Sequence, residues 1–330
     1  MKKLQEFPRI PLAVLPTPIQ KLENISRLLN TNVYVKRDDL TGIGLGGNKV
    51  RKLEFLLADA KRQGAEIVFT TGGAQSNHAM LTAACAKKLG LTPILILKKR
   101  GVTERKGNQL LEYLMDTDVR FMDTDSYDDI YAEMDRVGQA SGKKYYKIPC
   151  GGSNAIGALG YVSCAEELLW QSSQLRLRID HIVHATGSAG TQAGLITGLT
   201  ATHSGIPLLG ISVRAPREKQ EHNVWRLAQQ TRELLGVPGE LPREAVVANS
   251  DYVGEGYGLP TEGMLEALQL LAQHEGILLD PVYSGKGMAG LIDLIRKGHF
   301  RRDENVVFIH TGGSAGLFGY RQVIADSLPS

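Results

Sequence analysis

The pattern of apolar and polar positions along the 330-residue chain predicts a regular alternation of helices and strands. Apolar residues from Val50 to Ala60 recur at the spacing of one helical face, and Gly64 ends the helix that they predict. The short apolar run Ile67–Thr71 has the length of a buried strand. Such alternation is typical of parallel sheets covered by helices.

The same pattern continues to the end of the chain. It predicts helices over residues 78–89, 103–115, 128–141 and 264–273, and strands over residues 94–97, 119–122, 145–148, 181–185, 208–213, 277–279 and 306–310. A long helix through Trp170 follows the glycine-rich segment Cys150–Gly160. That segment is the best candidate for the point at which the chain crosses between two domains.

Composition and charge narrow the class of protein. Hydrophobic residues make up 42% and charged residues 22% of the chain, which is ordinary for a globular protein. The net charge is +3, and the basic residues are scattered, which gives no support for nucleic-acid binding. The three cysteines have no metal-binding spacing, and we see neither a signal peptide nor a membrane-spanning run. We therefore expect a cytoplasmic protein without metal, membrane or nucleic-acid partners.

Three polar clusters follow predicted strands. They are Gln75–His78, Gly187–Thr191 and the segment His310–Ser314. In parallel α/β sheets, ligands bind beyond the carboxyl ends of the strands. We therefore expect the three clusters to contribute to one composite site.

The loop Gly187, Ser188, Ala189, Gly190 and Thr191 lies between a predicted strand and the start of a helix. Successive backbone N–H groups and the positive end of a helix dipole suit a phosphate group. The spacing is neither that of a Walker A loop nor that of a GxGxxG turn. A tight turn without a ligand explains the same spacing, and the spacing does not decide between them.

Lys49 follows Gly46–Asn48 and precedes the first amphipathic helix. A lysine amine attacks an aldehyde only when it is deprotonated, which requires desolvation or neighbouring cations. Arg51 and Lys52 are close enough in sequence to act as such cations. Alternatively, Lys49 is an ordinary solvated lysine at the start of a helix.

Two further groups of side chains are candidates for ligand contacts. Ser76, Asn77 and His78 open a helix, where they could receive a carboxylate or serve only as a helix cap and a first-turn surface residue. Tyr257 and Tyr283 lie in loops that precede helices. Each could stack on a flat cofactor or carry a proton, or could be a packed tyrosine with a satisfied hydroxyl.

Taken in order, the segments GGNKVRKLEF, QSNH, GSAGT, YGLP, DPVYSGK and IHTGG resemble one family of enzymes. They are similar to the pyridoxal 5′-phosphate (PLP) enzymes of fold type II that include 1-aminocyclopropane-1-carboxylate deaminase and D-cysteine desulfhydrase. The resemblance extends from Phe7 to Phe318, nearly the whole chain.

The resemblance implies an α/β protein with the tryptophan synthase β-like fold. Its larger domain would comprise residues 1–52 and 158–330 and its smaller domain residues 53–157, with the active site in the cleft between them. It also implies that Lys49 binds PLP covalently, that Gly187–Thr191 hold the cofactor phosphate, and that the protein is a homodimer.

The family pattern also assigns roles to the remaining candidates. Asn77 would bond the O3′ atom of the cofactor, and Tyr283 would lie on or beside the ring. Ser76, Asn77 and His78 would contact the substrate, with Ser76 and His78 receiving its carboxylate. Tyr257 would face the substrate, and Lys49, Tyr257 and Tyr283 would be the catalytic side chains.

The residue after Tyr283 departs from the deaminase pattern. The deaminase has an acidic residue there, close to the cofactor ring, whereas this chain has Ser284, which the resemblance places among the cofactor-binding residues. A hydroxyl holds a pyridinium proton less well than a carboxylate does, and the weaker electron sink suits elimination of a leaving group from Cβ. This favours the desulfhydrase-like branch over cyclopropane ring opening.

Arg214 ends a predicted strand at the edge where substrates bind. A planar guanidinium matches an oxyanion such as a sulfonate. The segments around Arg214, Gly187 and Tyr283 look most like the cysteate sulfo-lyase branch, so we expect a small anionic amino-acid substrate, L-cysteate, that yields pyruvate, sulfite and ammonium. Three alternative functions stay open: D-cysteine desulfhydrase, 1-aminocyclopropane-1-carboxylate deaminase and a non-catalytic ligand-binding protein. Arg214, Arg217 and Lys219 could also form only an exposed helix start.

Overall fold

The computed structural model describes residues 2–99 and 102–328, which form two β-sheets and the helices that cover them. The strands are β1 Ile19–Lys21, β2 Asn32–Lys36, β3 Ile67–Thr70, β4 Thr92–Lys98, β5 Asp118–Met122, β6 Tyr145–Lys147, β7 His181–Thr186, β8 Leu208–Ser212, β9 Val247–Asn249 and β10 Asn305–Ile309. The helices are α1 Glu23–Leu29, α2 Lys49–Arg62, α3 Asn77–Lys88, α4 Asn108–Leu114, α5 Tyr127–Ser141, α6 Ala155–Leu175, α7 Gly190–Ala201, α8 Arg217–Leu235, α9 Glu262–Glu275, α10 Ser284–Arg296, α11 Gly316–Gly319 and α12 Arg321–Asp326.

The strands separate into two sheets according to their place in the chain. The larger sheet has the order β1-β2-β10-β7-β8-β9, and all its neighbouring strands are parallel except β1 and β2. The smaller sheet has the order β5-β4-β3-β6 and is entirely parallel. The α/β class with two mainly parallel sheets is therefore as predicted, whereas the domain limits given above stay a prediction.

The larger sheet is buried on both faces, and β7 lies near its middle. Val183 belongs to the apolar cluster that α9 and α10 form on one face. Ile182 belongs to the cluster that α6, α7 and α8 form on the other face. Fully burying each such side chain contributes about 1.5–3 kcal/mol. The two clusters fix β7, and with it the loop at its carboxyl end.

Two of the predicted elements differ in the structure. The predicted strand over residues 277–279 is wrong: Ile277 and Leu279 are buried and Leu278 is exposed, as in a strand, but the segment pairs with no other strand of the described chain. The predicted helix over residues 103–115 begins only at Asn108, because Gly107 has a φ of 55° that no α-helix contains. Within residues 2–99 and 102–328, none of the helices combines the length and the apolar character needed to span a bilayer.

Candidate active site

A cavity lies between the two sheets, beyond the carboxyl ends of β3, β7 and β10. Its inner part is lined by Asn48, Lys49, Asn77, His78, Ala185, Thr186, Gly187, Ser188, Ala189, Thr191, Tyr283 and Thr311. Its outer part has a volume of about 310 Å³ and adds Gly72, Gly73, Ser76, Lys98, Asp125, Tyr127, Cys150, Gly151, Arg214 and Tyr257. The structure thus brings the three polar clusters together, along with Lys49, Arg214 and both tyrosines.

Lys49 is the first residue of α2, and its side chain is only 9% exposed. Burial lowers its pKa from the ordinary 10.5 to about 8, although electrostatic interactions with Cys150 and Asp280 partly oppose the change. The preceding glycines allow this placement: a Cβ on Gly46 would lie 1.8 Å from the carbonyl oxygen of Asp39. About a tenth of the amine is therefore deprotonated at pH 7, far more than for an ordinary lysine, and this neutral form can attack an aldehyde.

The two cations that follow Lys49 in sequence have different surroundings. Arg51 points away from the cavity, where Nη2 lies 2.8 Å from Asp38 and 2.9 Å from Glu167 in a buried ionic cluster. Lys52 is fully buried, and its Nζ donates to the carbonyl oxygen of Gly151 at 3.1 Å. Burial, rather than the neighbouring cations, thus accounts for the lowered pKa of Lys49.

The loop between β7 and α7 has the geometry of an anion cradle. Ala189 adopts a φ of 74°, which turns the chain sharply before α7 begins at Gly190. Ser153 stabilises this conformation of the loop through two hydrogen bonds. Its Oγ donates to Ser188 Oγ at 2.9 Å and accepts from the N–H of Gly190 at 3.2 Å. The helix dipole and the N–H groups of this turn favour a phosphate.

Lys52 completes this cradle, although sequence reasoning did not assign it there. A Cβ on Gly190 would lie only 2.9 Å from Lys52 Nζ, so the ammonium lies against the start of α7. Burial, and secondarily the charge of Lys49, lowers the pKa of Lys52 well below its ordinary value, and a bound phosphate would stabilise the charged form. The available signal was the three-residue spacing from Lys49, which puts both amines on one helical face.

The start of α3 carries the predicted carboxylate contacts. Ser76 is the N-cap and accepts a hydrogen bond from the N–H of Ala79 at 3.2 Å, and it also lines the outer cavity. Asn77 Oδ1 accepts from Asn108 Nδ2 at 2.6 Å, which leaves the Asn77 Nδ2 donor for a ligand oxygen. The helix cap and the binding role are therefore compatible in this segment.

His78 is buried, not a first-turn surface residue. Thr70 Oγ1 donates to the carbonyl oxygen of Ile148 at 3.0 Å, so it accepts from His78 Nε2 at 2.8 Å. Burial, together with the charges of Lys49 and Lys52, keeps the pKa of His78 well below its ordinary value, and the backbone of Pro149 partly opposes this change. The neutral ring lines both parts of the cavity.

Tyr257 and Tyr283 form a hydrogen-bonded pair at the cavity. Their hydroxyl oxygens are 2.6 Å apart, and their rings meet edge to face at 5.9 Å. The ring centroid of Tyr283 lies 6.0 Å from Lys49 Nζ. Burial raises the pKa of both hydroxyls, so both keep their protons at neutral pH.

Ser284 interacts with Asp280 rather than lining the cavity. Its Oγ donates to Asp280 Oδ1 and accepts from the N–H of Asp280, both at 2.7 Å. Asp280 is fully buried behind Tyr283, and burial raises its pKa despite three backbone N–H donors. The cofactor contact predicted for Ser284 would require its hydroxyl to leave this carboxylate. Asp280 was not predicted, although it is the first residue of the DPVYSGK segment.

Arg214 lies at the mouth of the cavity, where its Nη1 is 3.5 Å from the hydroxyl of Tyr127. It forms no ion pair with a carboxylate in the part of the chain that the structure describes. Lys98 lies on the other side of Tyr127, with its Nζ 3.8 Å from the ring centroid. Arg217, by contrast, pairs with Glu221 at 2.9 Å. The outer cavity therefore combines Arg214 and Lys98 with Asp125 and with the hydroxyls of Tyr127, Tyr257 and Tyr283.

Comparison with known proteins agrees with this geometry. Residues 10–312 match the family model described as pyridoxal-phosphate dependent enzyme. The chain is 44% identical to a putative 1-aminocyclopropane-1-carboxylate deaminase of Pyrococcus abyssi, covering 98% of this chain and 97% of the relative. It is 43% identical to the D-cysteine desulfhydrase of Serratia proteamaculans, covering 97% and 98% respectively.

Solved structures give the same result. A crystal structure of a 1-aminocyclopropane-1-carboxylate deaminase homologue superimposes with a TM-score of 0.91 at 42% identity, covering 98% of each chain. Diaminopropionate ammonia lyase of Escherichia coli, at 15% identity and a TM-score of 0.69 over 95% of this chain and 87% of that chain, shares the fold alone. The fold and the site define a PLP enzyme of fold type II. This chain belongs to the pyridoxal-phosphate dependent enzyme family, and PLP is its cofactor.

The cavity fits that cofactor. The amine of Lys49 can meet the aldehyde, and the β7–α7 loop with Lys52 can meet the phosphate. Asn77 Nδ2 is a donor for a ring oxygen, and Tyr283 offers a flat aromatic wall. Bound PLP supplies an electron sink for negative charge at Cα of an amino acid.

Proposed function

We propose that this enzyme removes sulfite from L-cysteate by β-elimination, leaving pyruvate and ammonium. The Cα proton is removed, the Cβ–S bond breaks, and the electron pair of that bond leaves with sulfite. The 2-aminoacrylate that remains takes up water and yields pyruvate and ammonium. One molecule of L-cysteate and one of water thus account for all three products.

The observation that carries this proposal is the guanidinium of Arg214 at the mouth of the cavity, which forms no ion pair with a carboxylate of residues 2–99 and 102–328. A guanidinium donates two parallel hydrogen bonds to a sulfonate, as it does to a carboxylate or a phosphate. An exposed arginine at the mouth of this cavity favours a substrate with a second negative charge beyond its carboxylate. A thiol substrate has no comparable group for this guanidinium.

Each of the side chains around the cavity has a separate role in this elimination reaction. Lys49, with a pKa of about 8, removes the Cα proton. Ser76 and His78, which both line the outer cavity, hold the substrate carboxylate, while Asn77 Nδ2 donates to the cofactor ring oxygen. Tyr257 keeps its proton and donates a hydrogen bond to an oxygen of the departing sulfite.

D-cysteine desulfhydrase activity, with sulfide as the product, is the second candidate function. Its support is the relatives of that name at 43% and 44% identity from Serratia proteamaculans and Yersinia enterocolitica. Ring opening of 1-aminocyclopropane-1-carboxylate has less support, since Ser284 replaces the acidic residue of the deaminase. A non-catalytic role has the least support, because Lys49 and the loops around it are intact.

Product analysis tests the proposal. The purified holoenzyme is incubated with L-cysteate, D-cysteate, D-cysteine, L-cysteine and 1-aminocyclopropane-1-carboxylate, and sulfite, sulfide, pyruvate and 2-oxobutanoate are measured. We expect sulfite and pyruvate in equal amounts from L-cysteate, and none from a Lys49→Ala variant. Sulfide from D-cysteine without sulfite from L-cysteate would establish the second candidate instead.

Two structural parts of the proposal accompany this activity. We propose that the enzyme is a homodimer and that its domains comprise residues 1–52 with 158–330 and residues 53–157. Light scattering during size-exclusion chromatography tests the first part, and a monomer mass at assay concentrations would refute it. Limited proteolysis tests the second part.

A further inference from the structure

A second groove, of about 510 Å³, opens beside the outer cavity. The two spaces share Tyr127, Cys150, Ser188 and Arg214 as lining residues, so they are continuous around the mouth of the site. The far wall of the groove is one face of α8. Nothing in the reaction described above uses this face.

The face of α8 that lines the groove carries Lys219, Asn223, Arg226 and Gln230. These positions recur at the spacing of a single helical face. Lys219 and Arg226 are exposed, and neither makes a hydrogen bond or an ion pair with any residue that the structure describes. With Arg214, they are the three cations of the groove, and no carboxylate is among its described lining residues.

The acidic side chains of α8, Glu218, Glu221 and Glu233, are not among the lining residues of the groove. Glu221 pairs with Arg217 at 2.9 Å and accepts a hydrogen bond from the N–H of Ala248, away from the groove. A cleft lined by charges of one sign concentrates the electric field and raises the rate at which ions of opposite charge arrive. The groove therefore has the electrostatic form of a path for small anions that ends at Arg214.

We infer that the face of α8 formed by Lys219 and Arg226 draws anionic amino-acid substrates toward Arg214 and gives the sulfite product its way out. This inference rests on the proposed function for the identity of the anions. Lys219 and Arg226 act on the encounter, whereas Arg214 holds the bound sulfonate. Their removal should therefore lower kcat/KM and leave kcat unchanged.

The test compares two double variants. The groove variant combines Lys219→Gln and Arg226→Gln, and the control variant combines Arg217→Gln and Arg301→Gln. The control removes the same net charge from exposed arginines that are paired elsewhere and do not line the groove. Turnover of L-cysteate and of β-chloroalanine, whose chlorine substituent carries no charge before it leaves, is measured from low to high ionic strength.

We expect kcat/KM for L-cysteate at low salt to fall about three- to tenfold in the groove variant, with a flatter dependence on ionic strength. The kcat/KM of the groove variant for β-chloroalanine, and that of the control variant for L-cysteate, should change less than about twofold. Equal behaviour of the two double variants with L-cysteate would overturn the inference while leaving the proposed function intact.

A second readout separates the groove from the proposed function. Inorganic sulfate, an unreactive anion of similar shape to sulfite, is used as an inhibitor of β-chloroalanine turnover by the holoenzyme. If L-cysteate yields no sulfite, the proposed function fails, and the groove still predicts an inhibition constant for sulfate that is about three- to tenfold higher in the groove variant than in the control. Unchanged inhibition would overturn the groove as an anion path.

Discussion

Replacing Lys49 by methionine should make the cofactor-free protein more stable at neutral pH. The amine is 9% exposed, and its pKa falls from 10.5 to about 8 on burial. At pH 7 both the folded and the unfolded chain carry the ammonium form, so folding bears the full cost of burying the charge. That cost is about 3 kcal/mol, since each pKa unit corresponds to about 1.4 kcal/mol. Methionine has a similar length and no charge to bury.

The sign of the pH dependence follows from proton uptake. Between pH 8 and 10.5 the unfolded wild-type chain binds more protons at residue 49 than the folded chain does, so its stability rises with pH. Above pH 10.5 both states are neutral there and the cost is gone. The advantage of the Lys49→Met variant should therefore be largest below pH 8 and should shrink to less than about 1 kcal/mol by pH 10.

Urea unfolding of the cofactor-free proteins, followed by circular dichroism at pH 7 and pH 10, measures this difference. Lys61→Met, at an exposed position on the same helix, is the matched control, and it should change stability by less than about 0.5 kcal/mol. If the Lys49→Met protein is no more stable than the wild type at pH 7, or if its advantage is the same at both pH values, the buried charge does not have the cost described here.

Three further predictions concern side chains around the site. Replacing Arg214 by Gln should raise KM for L-cysteate at least about tenfold, because charge-assisted hydrogen bonds are lost, and should hardly change KM for β-chloroalanine. Equal effects on the two KM values in steady-state assays would show that Arg214 does not bind the sulfonate. Replacing Lys52 by Gln should weaken PLP binding at least about tenfold in equilibrium titrations, whereas the control Lys61→Gln should not change it. Unchanged affinity in the Lys52→Gln variant would show that Lys52 does not bind the phosphate. Lys286 Nζ donates to two carbonyl groups of the loop that carries Tyr257, at 2.6 and 2.9 Å. Lys286→Met should lower kcat in the wild type but not in a Tyr257→Phe background, and additive losses would mean that Lys286 acts independently of Tyr257.

Much of the fold could be predicted because the apolar pattern has a strong period. The helix from Val50 to Ala60 and the strand from Ile67 are present, and the polar clusters that follow the strands meet at one cavity. The pairing of β2 with β10 was not predicted, since it joins residues such as Val33 and Val306 that are far apart in the chain. A local pattern contains no information about such a partner.

The same limit explains the strand that was predicted at residues 277–279. Ile277 and Leu279 alternate with Leu278 as strand residues do, but they are buried by helices of the apolar cluster and not by strand pairing. Alternation reports which side chains are buried. It does not report what buries them.

The residues that form the candidate site could be predicted from the sequence more fully than the contacts that these residues make. The sequence placed Arg51 and Lys52 side by side, and only their positions around α2 show that Arg51 joins an ionic cluster while Lys52 faces the β7–α7 loop. The tautomer of His78 depends on the hydroxyl of Thr70, which donates to a carbonyl group on another segment. Such details depend on tertiary contacts, which single-sequence patterns do not encode.

The central claim, that Lys49 holds PLP between the two sheets, is tested most directly by trapping. The holoenzyme is reduced with borohydride, digested, and analysed by mass spectrometry. The account predicts one phosphopyridoxyl group, attached to the peptide that contains Lys49, and loss of the visible absorbance in a Lys49→Ala variant. A label on Lys52 or on any other lysine, or a protein that takes up no PLP, would contradict it.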